Sequence, residues 1–132
     1  MTHLLDTNVC IAAMRGHPQV CRRLLAHVPA DCGVSTVSLY ELFAGVERCQ
    51  NPAEERRKVE AFIRPLHRLP FDEIAAEHTA RIRWELERTG EVIGPYDLML
   101  AGQALALDLT LVTHNSREFE RVCGLRWEDW QG

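Results

Sequence analysis

At 132 residues and 46% hydrophobic composition, the chain has the size of one ordinary domain, able to bury about two-thirds of its unfolded surface, and residues 1–132 are read as a single unit. No run reaches the roughly 20 apolar residues of a membrane span, since Leu98 to Leu111 is broken by Gly102, Gln103 and Asp108; the opening Met-Thr-His-Leu-Leu-Asp carries no export signal, so a cytoplasmic location is expected. The net charge of −4 argues against loose coating of nucleic acid, yet 14 of the 15 basic residues are arginine, the side chain best shaped for phosphate, so a nucleic-acid enzyme is not excluded.

A first strand is expected at His3-Leu4-Leu5, running into Asp6-Thr7-Asn8, with a helix from Val9 to Met14 behind it. Pro18 opens a second helix carrying Val20, Leu24 and Leu25. Cys32-Gly33-Val34 reads as a short strand that ends at Ser35-Thr36, a helix-start signal. In the next helix, Leu39, Leu42, Phe43 and Val46 recur at spacings of three and four, the period of an amphipathic helix.

Pro52 starts a charged helix that ends before Pro65, and a strand is expected between Leu66 and Phe71. Asp72 caps a helix bearing Ile74, Ala75, His78, Ile82 and Leu86, with Gly90 at its stop position. After Gly94-Pro95 comes a helix from Tyr96 to about Leu107, apolar nearly all round and therefore buried on most sides. Leu109 to Val112 is a strand, Ser116 to Val122 a brief helix, and Leu125 to Trp130 a candidate edge strand. Alternating strands and helices imply an α/β fold with a short, mostly parallel sheet covered on both faces, whose functional crevice lies at the carboxyl ends of the strands.

Three acids occupy positions that solvation alone does not explain. Asp6 ends the first strand, where its carboxylate reaches the crevice; it is equally placed to cap the following helix. Glu41 borders the apolar stripe of its helix beside Ala44 and Gly45, a place open also to an ordinary boundary glutamate. Asp97 lies in the first turn of the most apolar helix, where the helix dipole favours it but burial demands a partner or a metal. Five scattered cysteines and six scattered histidines form no zinc or redox spacing, so any metal must be held by oxygen: Mg²⁺, with Mn²⁺ as a substitute.

Leu4-Leu5-Asp6-Thr7-Asn8, Ser38 to Gly45, Gly94 to Ala101 and Val112 to Phe119 occur in the order and spacing of VapC-type PIN-domain toxins, and the chain resembles that family from Met1 to its Glu128-Asp129-Trp130 ending. The resemblance implies a three-layer α/β/α fold, homodimerisation, magnesium-dependent endonucleolytic cleavage of RNA (tRNA being one structured candidate) by metal-activated water, and a cognate antitoxin protein as partner. It carries over Asp6 and Asp97 as metal ligands, Glu41 as a third acid, and Thr113 and Asn115 as polar residues after the fourth strand. The family's fourth acid, usually Asp, stands here as Glu118, which with Asn115 also has the spacing of a capping box.

Beside these, His114 is placed for acid–base work or a structural contact, and Arg15, Arg22, Arg23, Arg48 and Arg117 for RNA backbone or solvated ion pairs. Leu39, Phe43, Val59 and Phe62 are candidates for an antitoxin groove, or for core and dimer contacts. Two other readings compete. A phosphotransferase with Asp6 as nucleophile wants a second Asp where Asn8 stands, and a catalytically inactive PIN-fold binding module would keep the fold without cutting.

Overall fold

The computed structural model describes all residues from Met1 to Gly132. Its centre is a five-stranded sheet of β1 (His3–Leu5), β2 (Cys32–Ser35), β3 (His67–Leu69), β4 (Thr110–Val112) and β5 (Trp127–Glu128), in the order β3-β2-β1-β4-β5. Every pairing is parallel, which tightens the expected "mostly parallel" sheet to a wholly parallel one.

Helices α1 (Thr7–Met14), α2 (Pro18–Leu25), α3 (Thr36–Glu47) and α4 (Pro52–Ile63) precede β3; α5 (Glu73–Thr89) and α6 (Pro95–Leu107) lie between β3 and β4. The short α7 (Ser116–Phe119) follows β4. None of them is long and apolar enough to cross a membrane.

Side chains of a strand alternate between faces, and here the alternation sorts the core into two layers. Leu5, Val34 and Val112 pack with Val9, Val20, Leu42, Val59 and Trp130, while Leu4 and Leu111 pack with Ile82, Leu98, Ala101, Ala104 and Phe119. The fold is therefore the expected three-layer α/β/α arrangement.

Periodicity located the helices but misjudged some faces. In α5 the buried residues are Ala75, Ile82 and Leu86, and Ile74 is 58% exposed, because α5 packs on α6 through the face that carries Ala75, Thr79 and Ile82. That approach is close at Gly102, where a Cβ would run into Thr79 Oγ1 and lie 2.9 Å from Thr79 Cα. Nearby, buried Gln103 donates through Nε2 to the carbonyls of Leu69 and Pro70, at 2.9 and 3.1 Å, tying α6 to the end of β3.

Strand order reverses at β1, whose neighbours are β2 on one side and β4 on the other. The chain leaves the sheet in opposite directions there, and a crevice opens beyond the carboxyl ends of the strands. Asp6, immediately after β1, and Thr113, immediately after β4, stand at its base.

Candidate active site

Asp6 is 4% exposed and serves both readings made of it. Its Oδ1 accepts the Val9 amide at 2.8 Å, capping α1, while Thr113 hydrogen-bonds to the same carboxylate from the end of β4. Burial raises its pKa above the usual carboxylate range, against the pull of Thr113 and Val9, with a further upward push from the charge of Glu41. Thr113 is itself fully buried and its Oγ1 accepts the Asn115 amide at 2.9 Å, which shapes the loop after β4.

Glu41 comes in from α3. The Thr7 hydroxyl donates to its Oε1 at 2.6 Å and shares a second hydrogen bond with Ser38 Oγ at 2.9 Å. Thr7 and Ser38 thus hold the carboxylate in one orientation. Neither was singled out in the sequence for this work; the signal was the pairing of Thr next to Asp6 with Ser one turn before Glu41.

Asp97 and Glu118 meet across the crevice. Asp97 is pushed up to about 7, first by burial, then by a hydrogen bond with Glu118 and by the charges of Glu118, Asp6 and Glu41. Two carboxyl groups can form that bond only when they hold a proton between them. Glu118 Oε2 is buried with no hydrogen-bond partner. Asn115 Nδ2 reaches Asp97 Oδ2 at 3.5 Å and makes no side-chain cap on α7, so the capping-box reading of Asn115 and Glu118 is not what the structure forms.

Four acids from four different segments are thereby brought together, with Asp97 within electrostatic reach of the other three. None of them has an ion pair with arginine or lysine; the ion pairs of the chain lie elsewhere. No three of them converge tightly enough to form a ready-made ligand set. The donor chemistry nevertheless fits a hard divalent cation, because an orphaned buried carboxylate oxygen and a proton-sharing pair are what uncompensated anionic ligands produce.

Around Asp6 the crevice is a hollow of about 340 Å³ lined by the polar residues Asn8, His114, Asn115 and Gln131. His114 sits exposed on its rim, Nδ1 3.0 Å from Asp129 Oδ2, and so fastens the C-terminal tail. On the other side of Glu41 runs a groove of about 600 Å³ with an apolar floor of Ile11, Met14, Leu42, Val46 and Val59. Arg15 and Arg48 line that groove, whereas Arg23 pairs with Glu128 at 3.4 Å and Arg22 and Arg117 are exposed. Of the four residues expected to form an apolar groove, only Val59 does; Leu39, Phe43 and Phe62 pack against the core.

Residues 3–125 match the family model of the PIN domain. The chain is 42% identical over 127 residues, 96% of each chain, to the tRNA(fMet)-specific endonuclease VapC of Shigella flexneri, and 33% identical over 98% of each chain to ribonuclease VapC2 of Rickettsia felis. Among solved structures it is similar to the DNA-bound VapBC of Salmonella typhimurium, with a TM-score of 0.93 and 41% identity over 98% of both chains. It is also similar to VapBC-1 of nontypeable Haemophilus influenzae, with a TM-score of 0.90 and 30% identity over the full length of both.

Proposed function

Since the chain belongs to the PIN-domain family, within its VapC ribonucleases, we propose that it acts as one domain over residues 1–132, a magnesium-dependent endoribonuclease and the toxin of a type II toxin–antitoxin pair working in the cytoplasm. The observation that carries this reading is the gathering of Asp6, Glu41, Asp97 and Glu118 with no arginine or lysine partner, at the crevice of a parallel sheet.

In this reading Asp6 and Asp97 hold the cation, Mg²⁺ with Mn²⁺ able to substitute. When bound, it supplies neutralisation of phosphate charge and a water acidic enough to attack near neutral pH. The protein's own side chains do the rest. Thr113 fixes the Asp6 carboxylate, and the Val9 amide keeps it at the helix start. Thr7 and Ser38 aim Glu41 toward the same space, where it accepts a proton or a water hydrogen. Asn115 steadies Asp97, and Glu118 faces Asp97, whose own proton must leave before it can bind a cation.

In-line hydrolysis by water leaves a 5′-phosphate and a 3′-hydroxyl. RNA is the proposed substrate, with tRNA the first to try, since the Shigella relative is named for tRNA(fMet). A homodimer and a cognate antitoxin are the proposed assembly; the antitoxin is supported by the VapBC complexes among the similar structures, the homodimer by the family resemblance alone. The apolar groove beside Glu41 suits an amphipathic segment of such a partner.

The decisive experiment expresses the wild type beside Asp97→Asn and sequences RNA ends in the cells, with the purified proteins assayed in Mg²⁺ and in chelator. Cuts with 5′-phosphates that vanish in the variant and in chelator support the reading. Metal-independent cuts ending in 2′,3′-cyclic phosphate would overturn it. A protein that binds RNA or a partner but cuts in no divalent metal is an inactive PIN-fold module instead.

A further inference from the structure

Two aromatic side chains beside the acid cluster have no part in the mechanism above. Tyr40 is 57% exposed and Tyr96 39% exposed, yet the two are ordered against each other: their rings meet at 5.6 Å and 65°, and the Tyr96 hydroxyl donates to that of Tyr40 at 3.3 Å. Tyr40 directly precedes Glu41 on α3, and Tyr96 directly precedes Asp97 on α6. The pair therefore bridges the two helices that deliver these acids, and the charge of Glu41 is felt at the Tyr96 hydroxyl. An edge-to-face pair that remains this exposed leaves aromatic surface open to solvent.

The geometry points to Tyr40 and Tyr96 as a stacking platform for one unpaired nucleobase of the RNA strand, next to the phosphate held at the acid cluster. This rests on the nuclease reading and deepens it. The Tyr96 hydroxyl lies within electrostatic reach of Glu41, so an occupant of the pair borders the acid cluster. The hollow around Asp6 is lined by polar residues whose single ring, that of His114, is tied to Asp129, and it offers phosphate and sugar contacts. Bases inside a duplex have their faces covered, so the platform selects loops and single strands. Every base has such a face, so the platform sets the position of the cut strand and leaves sequence to other contacts.

The test is steady-state cleavage of a short single-stranded RNA by the wild type, by the double substitution Tyr40→Ala with Tyr96→Ala, and by Tyr40→Phe with Tyr96→Phe. Each protein is also given substrates in which one nucleotide near the cut is abasic. The alanine pair should lower kcat/KM by about tenfold to a hundredfold, mainly through KM, and the phenylalanine pair should recover most of the loss. One abasic position should cost the wild type as much and cost the alanine pair almost nothing further.

A wild type that cuts RNA beside an alanine pair within twofold of it leaves the nuclease reading standing and sinks the platform. So does an abasic loss that is undiminished in the alanine pair. An alanine pair that becomes monomeric where the wild type is dimeric shows that a second copy covers the tyrosines, and this too overturns the proposal. A wild type that cuts no RNA removes both readings together.

Discussion

Asp97 in the first turn of α6 and Glu118 in α7 share a hydrogen bond between two carboxyl groups, and Glu118 Oε2 is buried without a donor from any other residue. The consequence for stability has a definite sign. Asp97 is raised to about 7 in the folded chain, from an ordinary value of 3.8. Its contribution is therefore fully present below about pH 4 and is lost as the pH rises to about 7.

The metal-free variant Asp97→Asn escapes that loss. In chelator it should match the wild type near pH 4 and exceed it at pH 8 by about 1–2 kcal/mol, a figure already reduced for solvent reaching a partly exposed carboxyl. Thermal melts of both proteins across that range measure it. A variant weaker than the wild type at pH 8 would show that the paired carboxyls are not a source of repulsion.

Asp6 caps α1 and also faces the crevice, and one substitution separates the two jobs. Asn caps as well as Asp, so Asp6→Asn should leave the metal-free melting temperature unchanged or slightly raised. Cleavage in Mg²⁺ should fall by at least about a hundredfold if Asp6 holds the cation. Added Mg²⁺ should also raise the melting temperature of the wild type and leave that of the variant alone. Retained cleavage would reduce Asp6 to a cap.

Thr7 donates to Glu41 at 2.6 Å, the shortest polar contact at the site, from a position 9% exposed. Thr7→Val keeps the shape and deletes the donor, so Glu41 is freed to turn. A hydrogen bond to a charged group contributes about 1.5–3 kcal/mol, and if half of that orients Glu41 the loss in kcat/KM is about threefold to tenfold. Thr7→Ser should restore most of it. Valine at full activity would mean that Glu41 needs no such restraint.

The sequence was legible where a property is local. Asp6 follows His3-Leu4-Leu5, which reads as a strand, and the break at Gly94-Pro95 marks the start of α6, so the placing of both acids at element ends followed from spacing. What it hid is tertiary. Asn115 and Glu118 have capping-box spacing, yet their side chains turn to Asp97 instead, a preference that only the folded crevice reveals. Thr7 reads as a helix start, and its pairing with Glu41 spans 34 positions. The exposure of Tyr40 was hidden as well, since its neighbour Leu39 lies on the half-buried side of the same helix.

Two glycines inside helices make opposite predictions. At Gly102 of α6 an added methyl would meet Thr79 Oγ1 and, at 2.9 Å, the α5 backbone itself, so the two helices must separate. Gly102→Ala should therefore destabilise by about 1–3 kcal/mol, as overpacking does, and should lower activity by displacing Asp97 five residues earlier on the same helix. At Gly45 of α3 a methyl meets nothing within 4 Å. Gly45→Ala should raise stability by about 0.5–1 kcal/mol through helix propensity. Denaturant titration of the two variants against the wild type reads both signs, and a Gly102→Ala protein as stable as Gly45→Ala would show that α5 and α6 are not held at glycine distance.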